Sequence, residues 1–223
     1  MKLYHGSNKI VKSPQFGYGK KQNDYGLGFY CTKEFDLARE WAVLAERDGY
    51  VNEYDVNTTG LSVLDLNSDS YCILEWLVIL LENRTFDINS DFGEEAVNYI
   101  KDYYSVDYKS YDIIKGYRAD DSYFSFAQDF LSNNISLNTL KQAMTLGKLG
   151  EQTVLKSKKS FERIKYVNSS PAEAKIWFPK KELRDQKARS DYRLLRQRPR
   201  EKEDLYMMQI IDMEIKKDDP RLR

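Results

Sequence analysis

The feature that most constrains how this chain can fold is an apolar stretch near its middle, YCILEWLVILLEN at residues 71–83. A stretch of this length favours a helix over a strand, and its apolar side chains cover almost the whole circumference of that helix. It contains Glu75 and is far shorter than the roughly 20 apolar residues that a membrane-spanning helix needs. The stretch therefore predicts a mostly buried helix, and we expect no membrane among the partners of the chain.

Short strand patterns and helical patterns alternate around this helix. A polar turn at residues 57–60 separates two of the strand patterns, so we predict that those two strands form a hairpin. The mixture predicts an α+β fold in which helices flank a sheet. The predicted strands are residues 2–5, 28–32, 51–56, 61–66, 111–116 and 152–156, and the predicted helices lie within residues 33–48, 71–83, 94–108, 122–131 and 137–146.

The character of the chain changes after residue 170. Lys plus Arg equals Asp plus Glu over the whole chain, 35 of each, but residues 180–202 contain ten basic and only four acidic side chains. A last helical pattern at residues 201–217 has apolar side chains at spacings of three to four. We therefore divide the chain into a main domain at residues 1–170 and a charged, mostly helical C-terminal extension at residues 171–223. The basic segment either contacts nucleic-acid phosphates or forms a solvated amphipathic helix, and the sequence leaves both open.

Several classes of site are excluded by what the sequence lacks. Its two cysteines, Cys31 and Cys72, cannot build a disulfide framework or a cysteine zinc site, and we expect both thiols to be reduced in a cytoplasmic protein. The opening sequence MKLYHGSN lacks the hydrophobic stretch of a signal peptide, so we expect no secretion by that route. The single histidine, His5, excludes HExxH and multi-histidine metal sites, and we expect no metal cofactor. The sequence also contains no GxxxxGK[ST] phosphate loop and no GxGxxG turn.

Two short segments carry residues suited to binding or catalysis. At the end of the first predicted strand, His5 is followed by Gly6, which would let a ligand approach the backbone, and by the hydroxyl of Ser7. In the second strand Phe29 and Tyr30 point to opposite faces, so one can enter the core while the other lines a cleft. The histidine segment alone fits a binding site and a simple strand end equally well, and the aromatic pair alone is more typical of a core.

Together these segments resemble a known superfamily. A first strand ending in HGS at residues 5–7, then GLGFYCT at residues 26–32 leading into a helix with a Trp-Ala pair at residues 41–42, resembles the His-Tyr-Glu branch of the ADP-ribosyltransferase superfamily. More narrowly, the chain is similar to a little-characterised bacterial family of ADP-ribosyltransferase-like proteins, over residues 1–167. Further matching segments are residues 111–124 and 146–157.

The resemblance implies a split antiparallel-rich β-sheet that grips NAD in a cleft, with NAD as a substrate and no metal. It implies that His5 hydrogen-bonds the ribose next to the nicotinamide and that Gly6 offers its backbone to the carboxamide. Tyr30 matches the tyrosine whose ring stacks on the nicotinamide, where a desolvated cation over an aromatic face gains up to about 2 kcal/mol. Ser7 and Gly28 complete the segments that the resemblance assigns to NAD binding.

The third position of the resemblance has two candidates, Glu151 and Gln152. In the superfamily, a glutamate at the start of a late strand binds the ribose and helps to polarise the acceptor. Neighbouring residues in a strand face opposite ways, so only one of the two can face the cleft. Matching the apolar pair at residues 154–155 to the family strand favours Gln152, whereas a strict glycine-glutamate pattern favours Glu151. Because a carboxylate is the natural stabiliser of oxocarbenium character, a glutamine here predicts a slower enzyme or an acceptor that is activated elsewhere.

The resemblance implies a mono-ADP-ribosyltransferase that cleaves NAD at the nicotinamide-ribose bond and passes ADP-ribose to a macromolecular acceptor, either protein or nucleic acid. Analogy at the level of the fold adds a bacterial toxin or phage-defence effector with a neutralising, antitoxin-like partner. An alternative is a catalytically inactive NAD-binding or scaffold protein. A third hypothesis, a thiol hydrolase using Cys31 and His5, is weaker because Cys31 follows Tyr30 directly and would face away from a cleft that Tyr30 lines.

Overall fold

Two β-sheets and the helices around them organise the fold. The computed structural model describes residues 1–119, 121–146 and 150–222, which form a mixed α+β structure. The strands are β1 (Lys2–Ser7), β2 (Phe29–Cys31), β3 (Gly49–Val56), β4 (Val63–Asp65), β5 (Ile113–Tyr117), β6 (Glu151–Leu155) and β7 (Ile164–Ala172). The helices are α1 (Phe35–Ala42), α2 (Ile73–Asn83), α3 (Asp91–Tyr103), α4 (Asp121–Leu131), α5 (Leu137–Ala143), α6 (Lys158–Glu162), α7 (Ala174–Arg196) and α8 (Met207–Asp212), with short 3-10 turns at Tyr108–Ser110 and Pro220–Leu222.

Within the described residues, the two sheets meet at one backbone pair. The first sheet has the strand order β1-β3-β7 and is antiparallel throughout, and the second has the order β2-β6-β5-β4, in which β4 and β5 run parallel and the other pairs are antiparallel. The N–H of Tyr4 donates to the carbonyl of Thr32 at 2.8 Å, and the N–H of Thr32 donates back at 2.9 Å. Beyond this pair β1 and β2 separate and leave a gap. The predicted α+β class with antiparallel-rich strands is confirmed.

The apolar stretch that dominates the sequence forms α2, so the predicted buried helix is confirmed. Every residue from Ile73 to Leu81 is buried, and all of them except Glu75 belong to the largest core cluster, together with side chains of α3, α4 and α5. The indole N–H of Trp76 donates to the carbonyl of Tyr117 at 3.2 Å, which ties α2 to the end of β5. Among the described residues, no helix has both the length and the apolar character needed to cross a membrane.

The hairpin predicted around residues 57–60 is wrong. Both edges of β3 are taken, by β1 and β7, and β4 pairs in parallel with β5 in the other sheet. The turn, in which Gly60 has a φ of 74°, therefore carries the chain from one sheet to the other. A polar turn marks a change of direction, but the identity of the partner strand depends on which edges remain free.

The C-terminal extension is packed into the same core as the main domain. Strand β7 continues to Ala172, past the boundary predicted at residue 170. Tyr192 of α7 and Ile210 of α8 are buried in the cluster that contains α2. Of the helical pattern predicted at residues 201–217, the structure forms a helix only over α8.

Candidate functional site

A cavity of about 530 Å³ lies at the gap where β1 and β2 separate, and we call it the site cavity. It brings together four residues singled out from the sequence, His5, Gly6, Tyr30 and Gln152, which come from three different strands. The charged residues that line it are Asp24, Arg84, Arg118, Lys181, Glu182, Arg184, Asp185 and Arg189. The site cavity is therefore strongly polar and contains both signs of charge.

A second cavity of about 640 Å³, the loop cavity, is formed largely by the loop that follows β1. The two cavities share His5, Asn23 and Tyr30 in their walls, so a ligand can extend from one into the other. Ser7 and Gly28, which the resemblance assigns to NAD binding, line the loop cavity and not the site cavity. Together the two cavities form one groove with two compartments.

His5 is held as a neutral hydrogen-bond acceptor between the two compartments. Its Nδ1 lies 2.7 Å from the carbonyl oxygen of Tyr30, and because a carbonyl can only accept, Nδ1 carries the proton. Burial lowers the pKa of His5 below its ordinary value of 6.5, and the hydrogen bond to Tyr30 opposes this effect only in part. The imidazole is therefore neutral at pH 7, and its Nε2 keeps a lone pair for a hydroxyl donor.

Gly6 turns its backbone toward the gap. In antiparallel strands the backbone groups of alternate residues point to the same edge. Tyr4 gives its N–H and C=O to Thr32, so Gly6, two residues later, directs the same groups beyond the end of the pairing with β2. Position 6 is a glycine for a different reason. A Cβ here would lie 2.0 Å from the carbonyl oxygen of Ala38 in α1. The glycine thus makes room for a helix, whereas the sequence analysis expected it to make room for a ligand.

Tyr30 is a fixed, uncharged ring that borders both compartments. Its hydroxyl donates to the carbonyl of Gly26 at 2.6 Å and accepts from the N–H of Tyr25 at 3.1 Å. Burial raises the pKa of Tyr30 far above its ordinary value of 10. Lys156 holds the same loop, donating to the carbonyls of Tyr25 and Leu27 at 2.5 and 2.6 Å, and burial lowers its pKa to about 8. The position of the Tyr30 ring is therefore set by a glycine-containing loop, and Lys156, the residue after β6, holds that loop by hydrogen bonds.

Of the two candidates for the third position, the structure places Gln152 at the site cavity. Gln152 is 4% exposed and lines that cavity, whereas Glu151 is exposed and lies outside its wall. The Nε2 of Gln152 donates to Oδ2 of Asp24 at 2.7 Å. Because a carboxylate accepts and does not donate, this contact fixes the amide orientation and leaves Oε1 of Gln152 as an acceptor.

Asp24 is a site residue to which the sequence analysis gave no role. It is 5% exposed and accepts from Nη1 of Arg84 at 2.9 Å and from the N–H of Ala119 at 2.9 Å, in addition to Gln152. Burial raises the pKa of Asp24, and the three donors and the nearby guanidinium groups oppose this effect. The only signal in the sequence is an acidic residue just before two glycines, because its side-chain partners stand 60 and 128 positions away.

Helix α7 forms another part of the wall of the site cavity. We call its cavity-lining residues the helix wall: Lys181, Glu182, Arg184, Asp185 and Arg189. We call His5, Gly6, Tyr30 and Gln152 the sheet wall. Nε of Arg184 donates to Glu40 of α1 at 2.8 Å, which fastens α7 beside the cavity. Nearby, the guanidinium carbon of Arg118 lies 4.9 Å from the ring centre of Trp41. Sequence reasoning found the basic segment but could not place it at the cleft.

The thiol hydrolase hypothesis is wrong. Cys31 is fully buried in a small core cluster with Leu3 and Leu155. Burial raises the pKa of its thiol far above the ordinary value of 9, which disfavours the nucleophilic thiolate. Within the described parts of the chain, no group of three or more His, Cys, Asp and Glu side chains is arranged to hold a metal ion.

Comparison with protein families gives one match. A family model with the description "Protein of unknown function (DUF3990)" matches residues 1–166. The matched part contains the whole sheet wall and ends before α7, so the helix wall lies outside it. Searches of curated proteins and of solved structures give no match.

Proposed function

The chain belongs to the DUF3990 family, and from the geometry of its site cavity we propose that it is a mono-ADP-ribosyltransferase that cleaves NAD and passes ADP-ribose to a macromolecular acceptor. One observation carries the proposal. Residues 5, 6, 30 and 152, which resemble the NAD-binding positions of the His-Tyr-Glu ADP-ribosyltransferases, line a single cavity at the split between two sheets. These four residues come together only in the folded structure, because residue 152 is more than 120 positions away from the others in the sequence.

The shape and chemistry of the groove are suited to NAD. NAD has two nucleoside halves joined by a pyrophosphate, and the groove has two compartments that share His5 and Tyr30. Their volumes fall within the range of roughly 300–1,000 Å³ that is usual for small-molecule sites. Lys9 and Lys12 in the wall of the loop cavity supply positive charge for the phosphates. We therefore place the nicotinamide half in the site cavity and the adenosine half in the loop cavity.

Each residue of the sheet wall has a role that matches its hydrogen-bonding state. Nε2 of neutral His5 accepts from a ribose hydroxyl, and the free backbone groups of Gly6 bind the carboxamide, N–H to its oxygen and C=O to its amide. The ring of Tyr30, uncharged and fixed by its hydroxyl, stacks on the nicotinamide cation. Oε1 of Gln152 accepts from a second ribose hydroxyl because Asp24 holds its nitrogen.

In the reaction, the bond between ribose C1″ and the nicotinamide nitrogen breaks and its electron pair stays on the nitrogen, while positive charge develops on the ribose. The carbonyl dipole of Gln152 is held in place by Asp24, and a preorganised dipole of this kind stabilises such charge. Gln152 cannot accept a proton, so the acceptor must be nucleophilic already or lose its proton to another group.

A second candidate function is NAD binding without turnover. The observation that favours it is the amide at the third position, because the carboxylate of Glu151 lies outside the site cavity. Saturable NAD binding without release of nicotinamide would identify this function.

The test of the proposed function is nicotinamide release from NAD labelled in the adenosine half, incubated with the full chain and cell lysate. Wild-type protein should release nicotinamide and transfer the label, and Gln152→Ala should reduce the rate by a factor on the order of 100 because it removes a preorganised dipole. Glu151→Ala is the matched control at the neighbouring position and should keep the wild-type rate. Full activity of Gln152→Ala would sink the assignment of the third position, and absence of release by wild-type protein would sink the transferase.

A further inference from the structure

Helix α7 crosses the site cavity and is anchored on both sides of it. Near its first turns, Trp177 is buried in a cluster with Ala42 and Val43, beside α1. Near its last turns, Tyr192 stacks on Phe126 of α4 with ring centres 3.8 Å apart. Between these anchors the helix passes the cavity, so its middle turns are held beside the sheet wall without contributing to the core.

The inward stripe of α7 changes character where it meets the cavity. Its buried residues include Ala174 and Trp177 on one side and Ala188 on the other, at the spacing of one helix face. Lys181 and Arg184 continue the same spacing between them, and both line the site cavity. The apolar stripe is thus interrupted by two cations, which line the cleft together with Glu182, Asp185 and Arg189.

Some hydrogen-bond donors at these two cations and beside them have no partner among the described residues. Nη1 of Arg184 and the indole Nε1 of Trp41 are buried and have no hydrogen-bond partner among the described residues. Lys181 makes no ion pair with any residue that the structure describes. The ammonium of Lys181, which lines the cavity, therefore keeps its three donors and its charge for a ligand. Donors and positive charge in one cavity suit a ligand that has several acceptor atoms and negative charge, which describes a phosphate.

We propose that Lys181 and Arg184 bind a phosphate of single-stranded nucleic acid and so deliver one of its nucleotides to the site cavity as the acceptor of ADP-ribose. This inference rests on the proposed function. In the proposed function Lys9 and Lys12 in the other compartment bind the phosphates of NAD, whereas the helix wall lines the same cavity as Gly6, which binds the nicotinamide.

Nucleic acid fits this wall better than a protein does. Two further cations of α7, Lys180 and Arg193, make no ion pair with the residues that the structure describes and lie on either side of the cavity-lining stretch, which matches a polymer of regularly spaced phosphates. Arg118, which lies over the ring of Trp41 in the cavity wall, adds a planar guanidinium of the kind on which unstacked bases stack. In the transfer, a nitrogen or oxygen of the nucleotide forms a bond to ribose C1″, nicotinamide leaves with the electrons of the broken bond, and the proton of the acceptor passes to solvent.

The test measures binding of a fluorescein-labelled, random single-stranded DNA 12-mer and the corresponding RNA to the full chain, by fluorescence anisotropy at several salt concentrations. Lys181→Gln should weaken binding about tenfold and reduce the salt slope by about 1, because one phosphate contact is lost. Lys187→Gln is the matched control: it makes the same charge change on the same helix, at a side chain that is 70% exposed and paired with Asp191. It should weaken binding less than about twofold.

Arg184 needs a paired variant, because removing it alone strands the buried carboxylate of Glu40. The double change Glu40→Gln with Arg184→Gln removes the ion pair as a unit and should weaken oligonucleotide binding at least as much as Lys181→Gln does. Thermal unfolding followed by circular dichroism establishes that each variant is folded.

The same variants are titrated with NAD, which separates this inference from the proposed function. Weaker oligonucleotide binding with unchanged NAD affinity supports the acceptor site. Weaker NAD affinity with unchanged oligonucleotide binding overturns it, since the phosphate then belongs to NAD. The inference is also overturned if Lys181→Gln and Lys187→Gln weaken oligonucleotide binding equally, or if wild-type protein does not bind the oligonucleotide. The acceptor is then a protein. If wild-type protein binds the oligonucleotide through Lys181 but does not bind NAD, the proposed function fails and the phosphate site stands.

Discussion

The two walls of the site cavity are built by different kinds of interaction. The sheet wall is positioned by backbone register, since the Tyr4–Thr32 pair and the strand pairing fix where His5, Gly6 and Gln152 face. The helix wall is positioned mainly by side-chain contacts, through the buried ends of α7 and the pair between Arg184 and Glu40. The family match covers the first and not the second. In this account the chemistry of NAD belongs to the sheet wall and the choice of acceptor to the helix wall.

The largest effect is expected at Asp24, which lines the site cavity and holds Gln152 of the sheet wall. Asp24→Ala removes a buried carboxylate with three donors, one of them Arg84, and should lower the free energy of unfolding by about 3 kcal/mol. Asp36→Ala is the control, because its carboxylate pairs with Arg39 but is 71% exposed. It should change stability by less than about 1 kcal/mol. Urea unfolding compares the two, and equal losses would show that Asp24 is no support of the wall.

A smaller loss of stability is expected at Gly6. Gly6→Ala places a Cβ 2.0 Å from the carbonyl oxygen of Ala38, so α1 must shift, at a cost of about 2 kcal/mol. Gly60→Ala is the comparison, since no atom lies within 4 Å of its Cβ but its φ is 74°. Its cost should be about 1 kcal/mol, from backbone strain alone. If Gly6→Ala proves the milder change in urea unfolding, the close approach of α1 does not constrain the sheet wall.

A pH effect follows from the burial of His5. Burial lowers the folded-state pKa below the ordinary value of 6.5, so below that pH the unfolded chain takes up a proton that the folded chain resists. The free energy of unfolding should therefore fall as the pH decreases below 6.5, by at most about 1.4 kcal/mol per pH unit, until the folded-state pKa is reached.

The assignment of this pH effect is direct because the chain has one histidine. Urea unfolding of wild-type protein and of His5→Gln across this pH range separates its contribution from that of the carboxylates, including Asp24, whose raised pKa acts with the opposite sign. Parallel stability curves for the two proteins would mean that His5 is not buried as the structure has it.

The smallest effect is expected near the C-terminal end of α7, where Tyr192 anchors the helix. The hydroxyl of Tyr192 donates to Asp129 at 2.7 Å, and Asp129 also pairs with Arg196 at 3.3 Å. Tyr192→Phe should cost about 1 kcal/mol and leave the affinity for NAD unchanged, because it touches only the anchoring of α7. Urea unfolding and NAD titration measure both quantities. A large loss of NAD affinity in Tyr192→Phe would show that the anchoring of α7 also controls NAD binding, so the two walls would not act separately.

The residues of the sheet wall were predictable through a resemblance that short local motifs carry. A strand ending in His5-Gly6 and an aromatic strand at Tyr30 can be read from neighbouring residues, and the α+β class follows from the alternation of short patterns. The resemblance limited the third position to Glu151 or Gln152, and the alternation of side chains along a strand allowed only one of them to face the cleft. The choice between them needed the contact of Gln152 with Asp24, which depends on a loop far away in the sequence.

The helix wall was not predictable because its position depends on tertiary packing. Charge density identified residues 180–202 as unusual, but nothing local indicates that Arg184 reaches Glu40 across 144 positions. The hairpin error has the same origin, because the partner of β4 is a strand about fifty residues further along the chain. Patterns in a sequence predict elements, and the edges and faces that remain free decide which elements meet.

The most direct test of the account is a calorimetric titration of the full chain with NAD, alongside the variants His5→Ala and Glu151→Ala. The account predicts saturable binding of one NAD per chain, at least tenfold weaker in His5→Ala because the ribose loses its acceptor, and unchanged in Glu151→Ala because that side chain lies outside the groove. No saturable binding by wild-type protein, or equal affinity in His5→Ala, would contradict it.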